Sequence, residues 1–93
     1  MPAADTNGER PDDDTLALRA LVWTLADPSR AARLLDTTGL DPRSLRTSAS
    51  APATLVALLS FLEAHEPDLV ACADELGVAP DALVRVRERL ERA

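Results

Sequence analysis

The apolar positions of this chain fall into short runs at helical spacing, each opened by a proline or a capping residue. From Leu16 to Ala26 the only polar side chains are Arg19 and Thr24, and from Leu55 to Leu62 the only one is Ser60. A helix that is apolar around most of its circumference must be covered on most sides. The remaining runs are amphipathic: Leu34 and Leu35, then Leu69, Val70 and Leu76, then Leu83, Val86 and Leu90 repeat at helical intervals. No stretch alternates with period two, so strands are not expected.

The punctuation sets the boundaries. Thr15 can cap a first helix over Leu16–Ala26, with Asp12, Asp13 and Asp14 upstream where the helix dipole favours negative charge. Asp27-Pro28 reads as a cap followed by proline at the first helical position, opening a second helix to about Thr38, which Gly39 stops. Asp41-Pro42 repeats that signal for a short helix to about Ser48. Pro52 opens a fourth to about His65, Pro67 a fifth to about Leu76 stopped by Gly77, and Pro80 a sixth to about Arg92. The expected fold is all-α, a compact bundle of about six short helices.

A shift of 38 residues superimposes Leu21 on Leu59, Trp23 on Phe61, Ala26 on Ala64, Asp36 on Asp74, Gly39 on Gly77, Pro42 on Pro80 and Leu45 on Leu83. This suggests a two-fold pseudo-repeat of helix units. Two units are too few for a solenoid, so they should close on each other. That closure would bury Trp23 and Phe61 together, with the two apolar helices as a central pair wrapped by their neighbours. The competing arrangement leaves part of one apolar helix on a dimer seam, because small chains often complete their core that way.

Composition narrows the chemistry. At 93 residues the chain holds one small domain. Trp23 and Phe61 are its only aromatics, too few for a base-stacking platform or an aromatic cage. All ten basic residues are arginines, which removes lysine chemistry, and one histidine with one cysteine cannot build an ordinary zinc site or an internal disulfide. The net charge of -6 is uneven. Residues 1–14 carry five acids against Arg10, while residues 15–93 carry eleven acids against nine arginines. We therefore expect residues 1–14 to be a disordered acidic tail and residues 15–93 a single helical domain. No basic-then-apolar leader is present and no apolar run approaches a membrane span, so a cytoplasmic setting is expected, without a membrane partner.

The segments Leu18-Arg-Ala-Leu, Trp23-Thr-Leu-Ala-Asp-Pro28 and Thr38-Gly-Leu-Asp-Pro42, with Leu58-Leu-Ser-Phe61-Leu-Glu-Ala-His-Glu66-Pro67 and Gly77-Val-Ala-Pro80, resemble a family of short bacterial proteins known only as a domain of unknown function. The resemblance spans about residues 15–90, with Trp23 standing where a smaller aromatic is expected. It implies a small helical fold and brings no activity, substrate or catalytic residue with it.

One further pattern bears on function. Ala73-x-x-x-Gly77-Val78-x-x-x-x-Leu83 has helix-turn-helix spacing, and Arg85, Arg89 and Arg92 would share a face of the second helix able to meet phosphates. That helix opens with Pro80, Asp81 and Ala82, which offer no bidentate contact to a base, and its arginines have acidic neighbours in Asp81 and Glu88. His65 and Cys72 with Glu66 or Asp68 fall short of a metal shell or a nucleophile pair, so a capping His65 and an inert buried Cys72 are expected. No catalytic residue, cofactor or metal is expected. The favoured expectation is a non-enzymatic protein–protein interaction module, with a protein partner or itself as a homodimer through an apolar helix face. The alternative is a DNA-binding regulator using residues 67–92.

Overall fold

A computed structural model describes residues 12–92. Six helices follow in order: α1 (Asp13–Leu25), α2 (Pro28–Thr38), α3 (Pro42–Ser48), α4 (Pro52–Ala64), α5 (Glu66–Leu76) and α6 (Pro80–Arg92). There are no strands among the described residues. The all-α expectation holds, and most boundaries follow from the caps. The Asp27 side chain accepts from Arg30 N–H at 2.9 Å, and Asp41 accepts from Arg43 and Ser44 N–H, each ahead of a proline in the first turn. Gly39 and Gly77 stop α2 and α5 with φ of 73° and 74°, the left-handed region that costs other residues most.

The start of α1 differs from expectation. Asp12, not Thr15, is the cap: its carboxylate accepts from Thr15 N–H at 2.7 Å, and the helix begins at Asp13. Aspartate is the better cap of the two, and the earlier start places Asp13 and Asp14 in the first turn beside the positive end of the dipole. Of the expected tail, residues 1–11 lie outside the described residues, whereas Asp13 and Asp14 are helical.

The repeat is visible in the elements. Residues 28–38 shifted by 38 are residues 66–76, the bounds of α5, and both helices end on a left-handed glycine. The third helices diverge in length. α3 stops at Ser48 because Pro52 already opens α4, and Ala51 before it is extended (ψ 136°), as a residue preceding proline prefers.

α4 is central. It packs against α1, α2, α5 and α6, and buries Leu55, Leu58, Leu59, Phe61 and Leu62. α3 packs extensively on no other helix and buries only Leu45. α1 likewise packs against four helices, α2, α4, α5 and α6, so the two apolar helices form the expected central pair. α1 buries one side only, through Leu16, Ala17, Ala20, Leu21 and Thr24, with the Thr24 hydroxyl donating to the Ala20 carbonyl at 2.9 Å. Trp23 is less buried than expected. It sits half-buried at the rim of the core, while Phe61 is buried with its ring 5.2 Å from that of His65.

Candidate interaction face on the first helix

Around α1, residues 100° apart in sequence order place Leu18, Val22 and Leu25 on the side opposite Ala17, Ala20 and Thr24. That outward side is apolar. Val22 is 66% exposed and Leu25 38%, with Leu18 half-buried between them and the core. Beside this ridge runs an open groove of about 440 Å³ lined by Thr15, Leu18, Arg19, Val22, Trp23 and, from α5, Glu75.

The same positions 38 residues on give a comparison for this surface. Those matching Leu18, Val22 and Leu25 are Val56, Ser60 and Glu63, two of the three polar. Ser60 is exposed where Val22 is, and Glu63 pairs with Arg87 where Leu25 has no polar work to do. Single exposed apolar residues are normal on a protein surface; here Val22 and Leu25 stand side by side with the half-buried Leu18 on one helix.

Arg30 supports Trp23, one of the residues that line the groove. Its guanidinium lies 3.6 Å over the Trp23 ring centroid, and Nη2 donates to the Trp23 carbonyl at 2.7 Å. That carbonyl belongs to the last turn of α1, which has no basic residue of its own, so Arg30 supplies the missing cation from α2. Its Nε is buried with no partner among the described residues.

Packing alone accounts for the helix-turn-helix spacing. Ala73 and Leu83 are fully buried on either side of the Gly77 turn. The arginines that would meet phosphate are mostly occupied. Arg85 pairs with Asp81 at 2.9 Å, and Arg89 makes a two-pronged bond to the Asp13 carboxylate of α1 at 2.7 and 2.9 Å. Arg92, by contrast, has no ion pair among the described residues. The sequence reading expected Arg89 to be balanced by Asp81 on its own helix; its partner is instead 76 residues away. Arg87 bridges Glu63 of α4 and Glu91, and Arg33 of α2 reaches Asp68 of α5 at 3.1 Å.

His65 and Cys72 are not assembled into a site. His65 lies between α4 and α5, with Nδ1 3.4 Å from the Phe61 carbonyl, near the carbonyl end of α4 as a capping side chain should be. Cys72 is fully buried, and burial pushes its thiol up to about 11, far from the thiolate a nucleophile needs. Among the described residues no three His, Cys, Asp or Glu side chains are grouped to hold a metal. Among the described residues no helix is long and apolar enough to cross a membrane.

Fold and surface together define a small helical bundle whose most distinctive feature is one uncovered apolar helix face. The chain belongs to the family described as "Protein of unknown function (DUF3572)", whose profile matches residues 10–93. No curated protein matches it, and no solved structure does.

Proposed function

We propose that the chain is a non-enzymatic protein–protein interaction module that docks through the outward side of α1. The observation that carries this reading is Val22, two-thirds exposed on a helix whose repeat mate has serine at the same place. Burying such a ridge in a partner releases ordered water and needs no charge, so the complex should tolerate salt. A bacterial, cytoplasmic setting belongs to the same proposal, supported by the family resemblance and by a lone cysteine kept as a thiol.

The competing DNA-binding reading draws on the α5–Gly77–α6 geometry, but it would need Arg85 and Arg89 to abandon Asp81 and Asp13 for phosphate. The test pairs two measurements. Immobilised wild-type chain and Val22→Asp are compared for protein capture from a bacterial extract at low and high salt, while duplex DNA is titrated against the free protein. Salt-tolerant capture lost in Val22→Asp supports docking through α1. Near-micromolar duplex binding that falls steeply with salt, and is unchanged in Val22→Asp, would replace it with the DNA reading.

A further inference from the structure

We infer that the occupant of the α1 face is a second copy of this chain, bound with its α1 antiparallel to the first; the inference rests on the docking reading above. The argument comes from charge. The groove beside the ridge carries one cation, Arg19, and one acid, Glu75, and neither is engaged in an ion pair among the described residues. A groove with one charge of each sign has no preference for a strongly basic or acidic partner. It is instead self-complementary, which is the condition a two-fold interface imposes: what one residue offers, its mate must accept.

The orientation follows from the same residues. A two-fold axis lying in the interface and perpendicular to α1 reverses the second helix and sets each flank of the groove against the same flank of its mate. Because Arg19 and Glu75 lie in the same groove, Arg19 of one copy then faces Glu75 of the second copy, and the reverse, both pairs along the groove flank of a Leu18–Val22 seam. The parallel arrangement would instead bring the two acidic starts, Asp12, Asp13 and Asp14, side by side, which like-charge repulsion opposes. Antiparallel packing keeps them at opposite ends.

The size of the face sets the strength. α1 has 13 residues and is about 20 Å long, so one helix pair covers well under the roughly 800 Å² per partner of a standard stable interface. The dimer is therefore weak, forming between micromolar and near-millimolar concentration. Trp23, the chain's one tryptophan, lines the groove and reports on its closure.

Sedimentation velocity across that concentration range, with Trp23 emission followed in parallel, tests the inference. The expected result is a monomer that becomes a dimer as concentration rises, with emission shifting to shorter wavelength over the same range. Val22→Asp, at an exposed position and checked for an unchanged melting curve, should weaken the dimer at least tenfold. Arg19→Glu and Glu75→Arg should each weaken it, and the double exchange should restore it. A wild type that stays monomeric with constant emission overturns the second copy alone. A dimer that survives Val22→Asp overturns the α1 docking face itself.

Discussion

Truncating an apolar side chain should have opposite consequences on the two apolar helices, and the contrast tests the assignment of inside and outside. Leu58 in α4 is fully buried. Leu58→Ala removes three carbons from a packed site and leaves a hole that its neighbours close only in part, a loss of about 3–5 kcal/mol. For a domain this small, each kcal/mol moves the melting point by about 4–8 °C, so the variant should lose most or all of its cooperative transition near room temperature. Val22→Ala removes two carbons, worth about 1.6 kcal/mol if they were buried, at about 0.8 kcal/mol each. With Val22 66% exposed only about 0.5 kcal/mol of that is at stake. Alanine's better helix propensity returns a similar amount, about 0.5 kcal/mol, and the net effect should be near zero. The assay is urea and thermal unfolding followed by circular dichroism at submicromolar concentration, below the range in which the chain self-associates. A Val22→Ala cost of about 2 kcal/mol or more would mean that the outward side of α1 is core, and the docking argument would fall with it.

Three more outcomes are expected. Gly77→Ala should destabilise by about 1–2 kcal/mol through backbone strain alone, because a Cβ there meets nothing within 4 Å; Gly77→Asn should cost less, and equal losses in chemical denaturation would contradict the left-handed assignment. Native Cys72 should resist alkylation at mildly alkaline pH and react at once in denaturant, since its thiol titrates at about 11 and is buried; fast native labelling, read by mass spectrometry, would show that α5 opens readily. The Arg89 hydrogen bonds hold the Asp13 carboxyl below its ordinary 3.8, so the stability from this pair is complete above that pH and is lost as pH falls through the lowered folded value. Asp13→Asn should therefore melt below wild type at neutral pH, with the difference closing in strong acid; a gap that persists there would point to a cause other than ionisation.

The elements were legible where their determinants are local. Asp27-Pro28, Asp41-Pro42, Gly39 and Gly77 each act within a few residues, and each helix they bound is where the spacing placed it. The same local reasoning misplaced the start of α1. Thr15 and Asp12 are both plausible caps, and the choice is reinforced by Arg89, 76 residues on, which holds Asp13 inside the first turn. Trp23 was misread for a related reason. Its repeat mate Phe61 is buried, but Arg30 offers Trp23 a cation to stack on at the rim, and nothing in the spacing of α2 announces that contact. The candidate face was half visible: the excess of apolar residues in α1 showed in the sequence, with a seam as one explanation. Which residues stand outward depends on how α1 packs against α2, α4, α5 and α6, which the spacing of its own residues does not specify.

The bond between Arg89 and Asp13 also has a temporal meaning. α1 is made early and α6 last, and at about 5–20 residues per second the 76 intervening residues take about 4–15 s to synthesise. Through that interval the acidic start of α1 waits without the arginine that pairs with Asp13, while its packing on α2, α4 and α5 can already form. The pinning of the start of α1 is thus separated in time from the docking of its body.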